Sequence, residues 1–238
     1  MRPDHEAVSV VCGQMVLNVR DFKTMRPEKH LSDSVVEAGI RLCLQASPRP
    51  AAYLPHFYKK LVKTPWDGPV KTFYKSIEKQ LGNNNLVIIP ICCLGHWTVA
   101  FLDRQSSKLV HFNSLCNDIH PFHPTDILDK IVECFSKYFN PVKNVQLVCK
   151  RDIQNQPNTF DCGVFLIEFV KQALFGEGTI DLDALGEYRS NLVSLLRGFV
   201  RFDSAGILVV GPNVQAGLED NVDEGLGVDG GLGVDGGL

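Results

Sequence analysis

The sequence predicts an α+β domain, in which helices pack against a mixed or antiparallel sheet of about five strands. Short apolar runs bounded by turn residues cluster in the middle of the chain, and segments with helical periodicity lie on both sides of them. The 238 residues are enough to bury a sizeable core. A hydrophobic content of 45% and a charged content of 21% exclude a fibrous or wholly disordered chain.

The first helices are predicted from a cap and from apolar spacing. Ser32 or Asp33 is the expected N-cap of a helix that continues through Cys43. Three prolines between residues 48 and 55 predict a loop after it. A second helix is predicted over 70–81, and its apolar face holds Val70, Phe73, Tyr74 and Ile77.

The central strands are predicted in a segment that is as long and as free of charged residues as a membrane span. Residues 80–102 contain no Asp, Glu, Lys or Arg, and a span needs roughly 20 apolar residues. Asparagines, Pro90 and a Gly95-His96 pair interrupt the stretch, so we predict two buried strands, 86–91 and 97–102, joined by a turn. A polar loop at 103–107 then predicts a hairpin to a third strand at 108–112.

The second half of the chain predicts three helices and one strand. Residues 125–139 have the spacing of an amphipathic helix, and 145–149 read as a strand. Residues 163–175 are nearly all apolar, which predicts a helix buried on all sides, and a last helix is expected over 188–200. We expect residues 1–212 to form a single domain, followed at 213–238 by an acidic, Gly-rich, disordered tail with an imperfect repeat.

Charge restricts the partners of the chain. The net charge of −3 excludes a strongly basic protein that coats nucleic acid. The last 22 residues hold six acidic and no basic side chains, so residues 1–216 keep 24 basic and 21 acidic ones, a net charge of +3. A mildly basic body suits an acidic protein partner. We expect a monomer that binds neither nucleic acid nor a membrane.

Cysteine usage points to a reducing compartment. The eight cysteines are scattered through apolar segments without a C-x-x-C pair, which is typical of reduced thiols in the cytoplasm or nucleus. The N-terminus has no clean apolar core and carries Asp4 and Glu6, so we expect no signal peptide. We therefore expect an intracellular protein, which in the case of a pathogen would act in the host cell.

One cysteine stands apart from the others. Cys162 follows the polar segment 154–161 and directly precedes the predicted buried helix. The partial positive charge at a helix N-terminus favours a thiolate and lowers the pKa of a cysteine there. A thiolate in that position is a nucleophile that needs a base. The other seven cysteines are expected to be small core residues.

A base and its partner are predicted on the hairpin. His96 lies at the break between the two buried strands, and Asn113 comes 17 residues later, at the end of the third strand. The hairpin would bring Asn113 close to His96, where the amide oxygen could hold the imidazole in one tautomer. Taken singly, residues of these types are more often structural than catalytic.

Four separated motifs carry a family resemblance. They are His-Leu-Ser-Asp at 30–33, His96-Trp97, Asn113, and Gln-Pro-Asn-Thr-Phe-Asp-Cys-Gly at 156–163. In this order they resemble the ubiquitin-like-protein-specific cysteine proteases, the SUMO/sentrin protease type related to adenovirus protease, over about residues 15–205. The resemblance implies a papain-like fold and cleavage after the C-terminal Gly-Gly of SUMO, ubiquitin or a NEDD8-like modifier. The enzyme would act as an isopeptidase or a precursor processor, without a metal or cofactor.

The resemblance also implies residue roles. Cys162 would be the nucleophile, His96 the general base and then acid, and Asn113 the residue that orients His96. Gln156 would donate its amide to the oxyanion. The expected substrate-binding residues are Trp97, which would roof a channel too narrow for anything but a diglycine tail, and His30, Asp33, Asn158 and Asp161.

Three departures from the family pattern leave other interpretations open. Asn113 replaces the usual Asp, His30 stands where the family usually has a channel-lining Trp, and Ser32 replaces Asn. A weak or inactive binder of a ubiquitin-like protein, or a protease for a viral or transposon polyprotein, are the alternatives. An acetyltransferase of the same clan would need an acidic third member and a basic inositol phosphate site, and no obvious basic cluster is seen.

A possible zinc motif lies between residues 116 and 123. Cys116, His120 and His123 form a C-x3-H-x2-H pattern. The spacing is not that of a standard finger, and no second ligand pair is evident. We therefore interpret the segment as a polar loop.

Overall fold

The computed structural model describes most of the chain between Ala7 and Val210. The described residues are 7–11, 15–63, 71–115, 125–139, 144–150, 153–176, 180, 182–198, 200–202 and 208–210. The predicted tail at 213–238 and the Cys-His segment at 116–123 lie outside them. Among the described residues, no helix combines the length and the apolar character that a membrane crossing requires.

Nine strands and seven helices make up the described part of the chain. In order they are β1 (Ala7–Val11), β2 (Met15–Asn18), α1 (Val19–Thr24), α2 (Asp33–Ala46), β3 (Ala51–Tyr53), α3 (Phe57–Lys63), α4 (Lys71–Leu81), β4 (Leu86–Cys93), β5 (His96–Asp103), β6 (Lys108–Phe112), α5 (Thr125–Tyr138), β7 (Gln146–Cys149), α6 (Cys162–Phe175), α7 (Leu185–Gly198), β8 (Val200–Phe202) and β9 (Leu208–Val210).

A mixed sheet of five strands lies at the centre, in the order β3-β4-β5-β6-β7. The outer pairs, β3–β4 and β6–β7, are parallel, whereas β4–β5 and β5–β6 are antiparallel. Pro90 is accommodated within β4 because β3 pairs only with residues 86–88, so that Pro90 lies beyond the end of this neighbour. The architecture confirms the predicted α+β class.

Helices cover both faces of the sheet and bury β5 between two apolar clusters. On one face, Val99 and Phe101 belong to a cluster with α2, α6 and α7. On the other face, Ala100 and Leu102 belong to a cluster with α3, α4 and α5. Burial on both faces explains why β5 is a continuous apolar run without polar alternation.

Helix α6 lies in the core and packs against α2 and β5. Nine of its 14 residues are buried, as its nearly unbroken apolar sequence predicts. A Cβ atom on Gly163 would lie 3.0 Å from a methyl carbon of Val36 and 3.1 Å from the Cβ atom of Leu31. Glycine therefore lets α2 approach the first turn of α6 closely, and this turn carries Cys162.

The turn between β4 and β5 places His96 at the start of β5. Its two residues, Leu94 and Gly95, have φ angles of 51° and 79°. Two consecutive residues with positive φ are typical of the tight type I′ hairpin turn. The predicted pair of buried strands joined by a turn is confirmed, with β4 extending to Cys93 and β5 beginning at His96.

The region after α2 differs from the prediction of a loop. It contains β3 and α3, because β3 pairs in parallel with β4 and the Leu54 N–H donates to the Ile88 carbonyl at 3.0 Å. Phe57 of α3 packs against Phe73 of α4 and Phe135 of α5, with ring centroids 6.0 and 5.3 Å apart. The prolines interrupt the local sequence pattern, but pairing with β4 stabilises β3, and packing against α4 and α5 stabilises α3.

The last predicted helix is shifted along the chain. Helix α7 begins at Leu185, before the expected Tyr188, and ends at Gly198, while Val200 belongs to β8. Leu185 is buried like Leu192 and Leu196. The buried face of α7 therefore begins about one turn before the helix start that the leucine spacing predicts.

The N-terminal hairpin and α1 are elements that the sequence pattern did not predict. Strands β1 and β2 pair antiparallel. Helix α1 begins with a capping box, in which the Asn18 side chain accepts from the Asp21 N–H and the Asp21 carboxylate accepts from the Asn18 N–H.

Candidate active site

The β5–β6 register brings His96 and Asn113 together. Val99 pairs with Phe112, so Asn113 follows β6 near the level at which β5 begins. Asn113 Oδ1 lies 2.7 Å from His96 Nε2, and both side chains are buried. The contact predicted from the hairpin is therefore present.

The amide of Asn113 fixes the tautomer of the imidazole. Its Oδ1 also accepts from the Leu115 backbone N–H at 3.0 Å, and an N–H group can only donate, so this atom is the oxygen. His96 Nε2 must then be the protonated nitrogen that donates to Asn113. The basic nitrogen of the neutral ring is consequently Nδ1.

Cys162 is the first residue of α6 and is buried. The backbone N–H groups of Trp97, Gly163 and Cys162 itself lie near its thiol and favour the charged form. Trp97 directly follows His96 in β5. The predicted nucleophile therefore lies where α6 packs against the start of β5, the strand whose first residue is His96.

Burial decides the charge state of this pair. It raises the pKa of the Cys162 thiol above its ordinary value, although the backbone N–H donors oppose the rise. It also lowers the pKa of His96, although the hydrogen bond to Asn113 opposes this shift. At pH 7 the pair rests as a thiol and a neutral imidazole. The predicted lowering of the cysteine pKa by the helix N-terminus is wrong, because desolvation outweighs it.

Gln156 is held beside Asn113 by the adjacent residue, Ser114. The Gln156 N–H donates to the Ser114 carbonyl at 2.9 Å, and the Ser114 hydroxyl donates to Gln156 Oε1 at 2.6 Å. These bonds fix the orientation of the carboxamide, and its Nε2 donates to the Asn158 carbonyl at 2.5 Å. The second Nε2 hydrogen is not part of this bond and can serve an anionic oxygen.

The part of the chain that holds this site matches a known protein family. The model of the Ulp1 protease family, C-terminal catalytic domain, matches residues 29–179. The chain belongs to the Ulp1 protease family. The matched segment holds all four motifs found in the sequence, and the family of ubiquitin-like-specific cysteine peptidases expected from them is confirmed.

Curated relatives of this family share about a quarter of their aligned residues with the chain. Ubiquitin-like-specific protease 1 of Saccharomyces cerevisiae is 26% identical over 170 residues, which cover 70% of this chain and 26% of that protein. Human Sentrin-specific protease 5 is 24% identical over 166 residues, which cover 66% of this chain and 20% of that protein. The chain therefore spans about a quarter of the length of the first relative and a fifth of the second.

Solved structures of the Ulp1 family share the fold. The C-terminal Ulp1 protease domain in complex with Smt3, the yeast ortholog of SUMO, has a TM-score of 0.65 at 21% identity and covers 82% of this chain and 89% of that one. The Chaetomium thermophilum Ulp1-like SUMO protease catalytic domain has a TM-score of 0.64 at 19% identity and covers 82% and 84%.

The residues expected to line a substrate channel differ in exposure. Trp97 is buried, whereas His30 and Asp33 are exposed. His30 lies near enough to His96 to contribute to the lowering of the His96 pKa. Asp33 begins α2, and its carboxylate pairs with Lys59 of α3 at 3.0 Å. Ser32, one of the two predicted caps, is the N-cap of that helix.

The other two expected substrate-binding residues, Asn158 and Asp161, bind each other. The Asn158 amide donates to Asp161 Oδ2 at 2.6 Å. Its Oδ1 accepts from the backbone N–H groups of Phe160 and Asp161 at 3.0 and 2.9 Å. Asp161 is buried, and its second oxygen accepts from Arg189 Nε at 2.7 Å. Both side chains therefore hold the loop that leads into Cys162.

Sequence reasoning missed two residues of this site. Ser114 gave no signal beyond its place next to Asn113. Arg189 did give one, because it stands on the apolar stripe of α7, four residues after Leu185 and three before Leu192. A charged residue in that stripe indicates a buried partner.

Proposed function

We propose that this chain is a cysteine peptidase that hydrolyses the bond after the C-terminal Gly-Gly of a ubiquitin-like protein. The observation that carries the proposal is the hydrogen-bonded pair of His96 and Asn113, together with the buried thiol of Cys162 near the backbone of Trp97, the residue after His96. Such an arrangement of nucleophile, base and orienting group performs acyl transfer on unrelated folds.

The reaction would proceed in two steps. The Cys162 thiol gives its proton to His96 Nδ1 as the sulfur attacks the carbonyl carbon of the terminal glycine. The oxyanion that forms accepts from Gln156 Nε2 and from the Cys162 N–H. His96 then protonates the leaving amine, and a thioester remains. In the second step water gives a proton to His96 and attacks the thioester, which releases the carboxylate and restores the thiol.

Family membership supports the substrate class in this proposal. The curated relatives are named as ubiquitin-like-specific and sentrin-specific proteases, and one structural neighbour is bound to Smt3. We propose a partner of the same kind, and SUMO, ubiquitin and NEDD8-like modifiers are the candidates. The reduced thiols of Cys43, Cys92, Cys93, Cys134 and Cys162 are compatible with a site of action in the cytoplasm or nucleus.

A cleavage panel tests the proposal. C-terminal fluorogenic amides of SUMO, ubiquitin and a NEDD8-like modifier are compared with matched substrates that end in Gly-Ala. We expect release of fluorophore from at least one Gly-Gly substrate and none from its Gly-Ala match. Binding of a modifier without any release would instead identify the chain as an inactive binder.

Replacement of Asn113 by Asp tests how the base is oriented. We expect Asn113→Asp to keep or raise kcat/KM at pH 7, because a carboxylate both orients His96 and stabilises the imidazolium that forms. In the wild type the acid limb of the kcat/KM profile should lie below 6.5, because the pKa of His96 is lowered. In the variant it should move up by about one pH unit, since an adjacent negative charge raises a histidine pKa.

The matched control for this prediction is Asn113→Ala, which removes the acceptor without adding charge. It should lower kcat/KM by at least about tenfold, because the imidazole loses its fixed orientation. A large loss in Asn113→Asp as well would show that the site is built around the amide.

Replacement of Gln156 tests the oxyanion contact. We expect Gln156→Ala to lower kcat by about 10²–10³ with little change in KM, because this donor acts on charge that develops only in the transition state. Gln80→Ala on the exposed side of α4 is the control and should leave both parameters unchanged. A wild-type kcat in Gln156→Ala would remove Gln156 from the proposed machinery.

A further inference from the structure

Arg189 is a buried charged residue next to the loop that leads into Cys162. The proposed reaction does not use this residue. It lies in α7 with 5% of its surface exposed. Its guanidinium forms an ion pair with the carboxylate of Asp161, which is 3% exposed, and Arg189 Nε donates to Asp161 Oδ1 at 2.7 Å. Asp161 directly precedes Cys162.

The remaining donors of Arg189 bind backbone carbonyl oxygens of two separate segments. Nη1 donates to two carbonyls at 3.2 and 3.4 Å, and Nη2 to two others at 2.8 and 3.2 Å. These acceptors belong to Thr24, Arg26, Lys29 and Phe160. A guanidinium has five N–H donors, so this set employs all of them. The segment 24–29 and α7 thus hold the guanidinium in one position.

The loop on the other side of this ion pair is equally constrained. Asn158 donates to the second oxygen of Asp161, and the Asp161 carbonyl accepts from the Phe165 N–H at 3.0 Å within the first turn of α6. The Asn158 carbonyl accepts from Gln156 Nε2. One continuous set of hydrogen bonds therefore runs from Arg189 through Asp161 and Asn158 to the oxyanion donor Gln156, and Asp161 is joined to Cys162 by the peptide bond.

We propose that Arg189 is a positioning residue, whose bonds to Asp161 and Phe160 fix Cys162 and Gln156 in their reactive arrangement. This inference rests on the proposed function for its substrate. The positioning role itself is argued only from the contacts of Arg189. Stability is a poor reason to keep such a pair, because the cost of desolvating two buried charges often cancels their attraction. Positioning is a better one, since a displacement of about 1 Å at a reacting group can cost about 10²-fold in rate.

The surroundings of Arg189 allow smaller side chains. A half-open cavity of about 220 Å³ adjoins the guanidinium, and its walls include Met25, Pro27, Leu185 and Val193. A methionine or lysine at position 189 therefore meets no steric obstacle. Because all five donors of the guanidinium are already engaged, Arg189 has no donor left for a ligand in this cavity.

The test compares two variants with the wild type. Arg189→Lys keeps the charge but loses the planar set of donors. The double variant Arg189→Met with Asp161→Asn removes both charges, which avoids an unpaired buried carboxylate. Arg41→Met is the control, since Arg41 forms a half-exposed ion pair with Glu37 within α2. Thermal unfolding, kcat and KM per titrated active site, and the rate of Cys162 alkylation by iodoacetamide are measured for each.

We expect the double variant to remain folded at the assay temperature, with a lower unfolding temperature because four backbone carbonyls lose their donor. It should lose about 10- to 100-fold in kcat, with KM changed by less than about threefold. Alkylation of Cys162 should slow by about tenfold, and Arg189→Lys should show the same direction. A folded double variant with wild-type kcat and wild-type alkylation would overturn the proposal. If no modifier is cleaved even by the wild type, the proposed function fails, while alkylation still decides the role of Arg189.

Discussion

Cys162→Ala should reduce cleavage of the preferred modifier substrate by at least about 10⁴-fold, because no other group of the site can form the thioester. Binding of the uncleaved modifier should remain, since the substitution removes one sulfur atom and leaves the first turn of α6 in place. The measurement is kcat/KM with the fluorogenic substrate, together with the affinity for the intact modifier by calorimetry.

A second thiol in the same region provides the control for this loss. Cys92 of β4 pairs in register with Trp97 and belongs to the same side of the sheet as Cys162. Burial raises the pKa of Cys92 to about 11, so it is a poor nucleophile at pH 7. Cys92→Ala should therefore keep wild-type kcat/KM. Wild-type turnover by Cys162→Ala would disprove the assignment of the nucleophile.

His96→Gln is expected to have the second largest effect, a loss of about 10⁴-fold in kcat/KM at pH 7. The reason is the protonation state of the nucleophile. Burial raises the pKa of Cys162, so without a base the sulfur stays protonated at neutral pH. The activity that remains in the variant should rise as the pH increases through 9 and beyond, because the thiol then ionises. The activity of the wild type should not depend on this ionisation, because His96 takes the thiol proton.

The control for this variant is the exposed His56, which precedes α3. His56→Gln should match the wild type in kcat/KM and in its pH profile. A pH profile of His96→Gln that follows the wild type would show that His96 does not take the thiol proton.

Local sequence was sufficient for the parts of the site that depend on short-range geometry. The loop at 103–107 fixes the β5–β6 register, and this register alone brings Asn113 to His96. The apolar run after Cys162 likewise predicts α6 and places the cysteine at its start. In both cases the interacting residues are close in sequence or belong to one element.

The features that escaped prediction depend on distant partners. Strand β3 exists because it pairs with β4, and three prolines around it conceal the pattern. The contacts of Arg189 join α7 to segments about 160 residues earlier, which no local period reveals. The pKa of Cys162 depends on how deeply α2, α6 and β5 bury it, so the sequence indicated a lower value than the fold allows.

The proposed function depends on one step, the formation of a thioester between Cys162 and the C-terminal glycine of a ubiquitin-like protein. The most direct test is to incubate the folded wild type and Cys162→Ala with C-terminal electrophile probes built on SUMO, ubiquitin and a NEDD8-like modifier, and to map adducts by mass. We expect an adduct with at least one probe, on the peptide that holds Cys162 and absent from the variant. Failure of all three probes to label the wild type, or an adduct on another residue, would contradict it.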